Sequence, residues 1–369
     1  MTAVQARQPQ VGPGADPVRV PANQFPHFYA GGERISRFRG APGATGSGTA
    51  GAGGQDRRPD NRPEDWVAST TTRFGQPEVG LSLLPDGRLL REVIAADPLT
   101  WLGPAHLAAF GAELNLLVKL LDAGQRLIVH AHPDLAFAGQ HLALGHGKTE
   151  AWVILETDHA DAEVYLGFRE RVPAATLAGW VRDQDTENML AALNVVSVAP
   201  GDAVLVPAGL PHAIGAGALI CELQEPTDLS VVLEWRGFDL DGPTDGHLGL
   251  GYDVALQCVD RSGWGVDRVA ALRGPGPSAH SGGSAARSLL PAAADPFFRL
   301  DRLTDGAELA AGVGVLVVAA GAGTLERPGA AALPLNHADT VLVPYAAGPG
   351  RIRGPVEVLL CRPPAPPAG

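Results

Sequence analysis

Two short segments constrain this chain more than the rest of it. Residues 124–133 read G-Q-R-L-I-V-H-A-H-P, and residues 201–212 read G-D-A-V-L-V-P-A-G-L-P-H. Side chains two apart on a strand share a face, so Ile128, His130 and His132 point one way while Val129 and Ala131 point the other. Gly124 permits a tight turn before that strand, and Pro133 ends its pairing. In the second segment 202–206 reads as a strand, Pro207 and Gly209 turn the chain, and His212 re-enters on a neighbouring strand. A lone histidine is usually a satisfied core or surface residue. Two motifs of matching spacing instead send three imidazoles to one interior point, a donor set suited to a borderline divalent metal such as zinc. The reading is a β-barrel that holds a metal and acts on a small molecule.

The fourth ligand should be a carboxylate. Glu150, in Gly147-Lys148-Thr149-Glu150-Ala151-Trp152, shares a strand face with Trp152 and Ile154. That face is costly for a charge unless the charge is paired or metal-bound. On the residues alone a solvent-facing glutamate at a strand start stays open. Lys119, in the apolar stretch 114–121, reads by itself as a snorkelling edge residue.

The remainder reads as short strands and glycine turns. Strands are expected at 66–72, 114–121, 126–132, 150–156, 162–168, 195–198, 203–206, 218–223 and 230–234, with helices at 89–96, 105–114 and 173–193. The last is a helical insertion into a β-domain. A chain of 369 residues has room for two domains. Residues 1–16 read as a frayed terminus, 17–261 as the metal-binding catalytic domain, 262–290 as a Gly/Pro/Ser-rich linker and 291–369 as a second β-domain. The second contains His337 but no H-x-H, so a degenerate, metal-free copy is expected. The Gly-rich stretch 40–54 reads as a mobile loop.

The net charge of −12 provides no broad basic field for nucleic acid or an anionic membrane, although a few local cations could still hold a small phosphorylated ligand. Cys221, Cys258 and Cys361 show no C-x-x-C spacing, which argues against a disulfide framework. With no basic leader and no run of about 18 apolar residues, the expectation is a cytoplasmic monomer or homodimer.

The two histidine segments carry the cupin signature, and the text around them resembles the type I mannose-6-phosphate isomerases. The resemblance rests on Leu116-Leu117-Val118-Lys119-Leu120-Leu121, Val129-His130-Ala131-His132-Pro133, Gly147-Lys148-Thr149-Glu150-Ala151-Trp152, Tyr165-Leu166-Gly167-Phe168 and Glu222-Leu223-Gln224, and spans roughly residues 64–260. It implies two jelly-roll (cupin) barrels, the first with the helical insertion. It also implies a zinc-dependent aldose–ketose isomerase with His130, His132, Glu150 and His212 as ligands. By the same resemblance Lys119 and Glu222 would stabilise charge and handle protons, with Lys148 as a third catalytic candidate. Trp66 and Ser69 would lie near the sugar or its phosphate.

Two positions depart from the pattern. The family usually has Gln at His130, which makes iron, manganese or nickel more plausible as the metal than in the family. Val231 or Val232 stands where the family has an active-site arginine, with Arg236 nearby as a substitute. The expected reaction is mannose 6-phosphate to fructose 6-phosphate through a cis-enediol. The alternatives are isomerisation of another or a non-phosphorylated sugar, and a metal-containing sugar-binding or regulatory cupin without isomerase activity.

Overall fold

The computed structural model describes residues 16–40, 62–160, 162–275 and 284–367. The readings made for residues 1–15 and 41–54 lie outside the described residues. Three sheets, all paired antiparallel, make the chain mainly β.

The first sheet runs β2 (Glu64–Val67), β3 (Leu117–Asp122), β10 (Ala218–Gln224), β5 (Glu150–Thr157), β8 (Ala203–Val206). The second runs β11 (Val231–Val232), β4 (His130–Ala131), β9 (His212–Ile214), β6 (Glu163–Phe168), β7 (Leu193–Ser197). The third is a nine-stranded sheet built on β15 (Gly314–Glu326). It joins β1 (Val18–Arg19), β12 (Ala286–Ser288), β13 (Arg299–Leu303), β14 (Glu308–Leu309), β16 (Leu333–Asn336), β17 (Thr340–Val343), β18 (Gly350–Arg353) and β19 (Val356–Arg362).

Strand alternation assigns each face to a different core. On β5, Trp152 and Ile154 pack with Ile220 of β10 and with Val164, Leu166 and Ile214 of the second sheet, forming the space between the two sheets. The alternate residues Ala151, Val153, Cys221 and Leu223 pack outward against Val315, Val317, Leu359 and Cys361 of the third sheet. The first sheet is therefore covered on both sides, which is why β10 is buried along its whole length. The outer face of the second sheet (Val129, Ala131, Ala213) is covered by helices Ala174–Asp183 and Thr186–Ala192 through Leu177, Val181 and Met189. Leu177 and Val181 stand four apart on one helical face, the spacing that marked the insertion between β6 and β7.

Three expectations change. Residues 126–132 form a ladder only at His130–Ala131, because the buried Glu234 carboxylate accepts the Val129 N–H at 3.0 Å and pairs with Arg126. Residues 262–273 do not behave as linker: Trp264, Val269 and Leu272 enter the core between the first two sheets, and helix Val266–Ala270 lies among them. Their apolar spacing was masked by the Gly-Pro run that follows. Finally, residues 18–19, read as part of the 17–261 domain, form β1, which pairs with β17 of the third sheet.

Gly103 joins helices Pro98–Leu102 and Pro104–Phe110 at φ 82°, ψ 162°. A Cβ there would lie 2.4 Å from ring carbons of Tyr345, in the turn Tyr345–Ala347 attached to the third sheet. Gly103→Ala should therefore lower stability by about 1–3 kcal/mol, since it adds a clash to a backbone conformation that only glycine adopts freely. Urea unfolding checks this, and an unchanged midpoint contradicts the packing.

Candidate metal centre and adjoining cavity

β4 and β9 bring the histidines together: His130 and His212 are register partners, and His132 follows two residues after His130. The ligand atoms of the three rings all lie within 4.8 Å of one another. Each Nδ1 faces a backbone carbonyl: Ile128 at 3.0 Å for His130, Leu229 at 2.7 Å for His132 and Leu210 at 2.7 Å for His212. A carbonyl only accepts, so each Nδ1 carries a proton and Nε2 is the ring atom turned toward the site. Burial first, then the neighbouring positive charge, lowers His132 to about 3 and holds His130 well below the ordinary imidazole range. Both rings are therefore neutral at pH 7.

Glu150 enters from β5 on the face it shares with Trp152, whose indole N–H donates to Oε1 at 3.1 Å. Its Oε2 lies 3.0 Å from His132 Nε2 and its Oε1 3.3 Å from His212 Nε2. Lys148 Nζ is 3.0 Å from Glu150 and 2.9 Å from His132 Nε2. Burial would raise the Glu150 carboxyl, but the Lys148 ammonium outweighs it and holds the group well below the usual carboxylate range. Glu150 Oε2 and His212 Nε2 are both buried without a well-formed hydrogen bond. The imidazoles gather beside Glu150, with the Lys148 ammonium against His132 Nε2 and Glu150 Oε2, and three imidazoles with one carboxylate are a usual donor set for zinc and its first-row neighbours.

A second charged group adjoins the first. Across β2, β3 and β10 the pairs Trp66↔Lys119 and Lys119↔Glu222 sit in register. Lys119 Nζ lies 3.4 Å from Glu222, 3.3 Å from Glu64 and 4.8 Å from the Trp66 ring centroid. Burial opposes the lysine's charge, but the two glutamates override it and raise its pKa. The two carboxyls diverge. Burial would raise Glu64, yet His27, Lys119 and hydrogen bonds from Trp66 Nε1 and Tyr29 Oη, both 2.7 Å, push it far down. Glu222 Oε1 has no hydrogen-bond donor, so burial prevails over Lys119, and the group is raised to about 7.

Lys119, Glu222, Lys148, His130 and Glu150 all line one cavity of about 440 Å³. The other sequence candidates lie elsewhere. Trp66 is fully buried behind Lys119 and Glu64 and supports them without lining the cavity. The Ser69 hydroxyl is turned into its own loop, donating to the Thr71 carbonyl at 3.0 Å and accepting the Thr71 N–H at 3.1 Å. Arg236 is exposed and donates to the Asp183 carbonyl at the end of helix Ala174–Asp183, where unpaired carbonyls attract a cation. Sequence reading missed Glu64, Tyr29, His27, Arg73 and Asp228 among the lining residues. Glu64 was findable, since it stands two residues before Trp66 on one strand; the others sit on loops with no periodicity to mark them.

The Glu222 shift has a signed consequence. Between the usual 4.5 and about 7 the folded protein holds a proton that the unfolded chain releases. This contribution to stability is present at low pH and lost as pH rises through that window. In chelator-treated protein, Glu222→Gln should gain stability relative to the unsubstituted chain by about 1.4 kcal/mol per pH unit across the window, and nothing below it. Urea unfolding at stepped pH measures the difference, and a difference independent of pH contradicts the raised carboxyl.

No protein-family model matches the chain. It is 35% identical over 135 residues to the probable mannose-6-phosphate isomerase GmuF of Bacillus subtilis, covering 37% of this chain and 40% of that protein. It is 33% identical over 170 residues to the mannose-6-phosphate isomerase of Streptococcus mutans, covering 45% and 49%. These matches span less than half the length of either relative. Among solved structures, mannose 6-phosphate isomerase from Bacillus subtilis superposes with a TM-score of 0.66 at 20% identity, over 94% of this chain and 99% of that one. A mutant of phosphomannose isomerase from Salmonella typhimurium gives 0.67 at 15% identity, over 95% and 100%. In sequence over a third to nearly half of its length, and in fold over almost all of it, this chain is similar to the mannose-6-phosphate isomerases.

Proposed function

We propose that the chain is a metal-dependent aldose–ketose isomerase of sugar phosphates, with mannose 6-phosphate and fructose 6-phosphate as the first pair to assay. One observation carries the reading: His130 and Glu150, which stand with His132 and His212, line the same cavity as the Lys119–Glu222 pair. The names of the relatives support it.

Aldose–ketose exchange needs a base that is half ionised near the working pH and a fixed positive charge where oxyanion charge develops. Glu222, raised to about 7 by burial and without a well-formed hydrogen bond at Oε1, meets the first requirement. As the C2–H bond breaks, its carboxylate takes the proton, the electron pair forms C1=C2, and the C1=O π pair moves to O1, giving a cis-enediolate. The O2 proton then passes to O1, and as the O2 pair forms C2=O the C1=C2 pair takes the proton back from the same group at C1. Lys119, kept cationic by Glu64 from the other side, offsets the charge that grows beside Glu222. Lys148 is the second cation and lies against Glu150. His130, His132, His212 and Glu150 would hold a divalent metal such as zinc, iron, manganese or nickel. When bound, such a metal supplies Lewis acidity toward the sugar oxygens. One observation favours a second reading, an uncharged sugar: Val232 lines the cavity where the resemblance implies an arginine.

A coupled assay on metal-loaded protein should show hexose 6-phosphate turnover that disappears with a chelator and returns with zinc. Glu222→Gln should lower kcat by about 10²–10⁴-fold, and His212→Ala should lower the bound metal measured by elemental analysis. A filled site without turnover of any phosphorylated or free hexose rejects the isomerase and leaves a sugar-binding cupin.

A further inference from the structure

The cations of the inner cavity are already engaged. Lys119 sits between Glu64 and Glu222, and Lys148 lies against Glu150, each within 3.4 Å. Neither has a charge to spare for a dianion, and Val232 contributes only an apolar surface to the wall. A second cavity, of about 580 Å³, adjoins the first and shares Arg73, Phe74, Gly75, Gln76 and Asp228 with it. Its lining adds Arg91. Among the described residues neither Arg73 nor Arg91 pairs with a carboxylate, and the Arg73 guanidinium donates to the Pro26 carbonyl at 3.0 Å. Two acids share this lining: Asp228 accepts the Phe74 N–H at 3.2 Å, and Glu113 lies 3.4 Å from His146.

We propose that Arg73 and Arg91 bind the phosphate monoester of the substrate in the outer cavity, with the sugar carbons reaching past Arg73 to Glu222 and Lys119 in the inner one. The proposal rests on the isomerase reading and deepens it. A guanidinium suits this task because its planar fork of donors matches phosphate oxygens in pairs. On a chain of net charge −12, two arginines without a carboxylate partner among the described residues are the donors this lining offers a dianion. The anion site thereby moves from the strand that carries Val232 to the loop 70–77 and the helix Leu90–Ala96.

The test uses metal-loaded full-length chain and two probes without a carbonyl, glucitol 6-phosphate and glucitol, titrated by calorimetry. The unsubstituted protein should bind the phosphate ester at least about 10-fold more tightly than glucitol, and Arg73→Met or Arg91→Met should each weaken the ester about 10-fold while leaving glucitol unchanged, the size expected for one charge-assisted hydrogen-bonding partner. Both arginines are outside the core, and circular dichroism confirms that the variants fold. Equal affinity for the two probes, no measurable binding of the ester, or full ester affinity in both variants overturns the proposal. The probes cannot isomerise, so failure here is separate from failure of the isomerase reading, which shows as absent turnover.

Discussion

Glu150 is a carboxylate 2% exposed, and its charge is the constraint around which the two inner sheets are arranged. An unpaired ion at that depth costs several kcal/mol. The fold meets this by facing it with Lys148 on its own chain segment, Trp152 on its own strand, and His132 and His212 from the opposing sheet. The imidazoles cannot turn to relieve the crowding, because each Nδ1 proton is tied to a carbonyl. Locked tautomers and a held carboxylate leave an arrangement whose lone pairs a divalent cation would satisfy together, the preorganisation that metal sites obtain from groups behind the ligands.

Rigidity comes from burial on both sides. β10 faces the third sheet with Leu219, Cys221 and Leu223, and presents Glu222 on the alternate face. A strand clamped by apolar contacts on one side can hold a charged side chain on the other without yielding, which keeps Glu222 buried beside Lys119 and its pKa raised. Glu64 shows the opposite result two strands away in the same sheet. Its two hydrogen-bond donors and Lys119 keep it ionised. The two carboxyls share one lysine yet hold opposite protonation tendencies, and that division separates the group able to exchange a proton from the one that fixes the cation.

Much of this was legible before any coordinates. The alternation around His130 and His132, the P-x-G turn before His212, and the face shared by Glu150, Trp152 and Ile154 all follow from a period of two, and the structure brings these residues together. The helices between β6 and β7 followed from the four-residue spacing of Leu177 and Val181. Ser69 and Arg236 came from likeness of motif and position rather than from periodicity, and both are satisfied by local backbone partners outside the cavity.

The sequence by itself determined which residues could face inward together, because strand and helix periods are local properties of the chain. It also determined that the interior would contain imidazoles and carboxylates needing mutual compensation. Only the tertiary structure decided which of those groups are paired and which are left free. Glu64 meets Tyr29, Lys119 meets two glutamates, and among the described residues Arg73 forms no ion pair where two cavities adjoin. Pairing depends on loops and distant strands whose approach is set by packing, and electrostatic environment changes over a few ångströms that no spacing rule resolves.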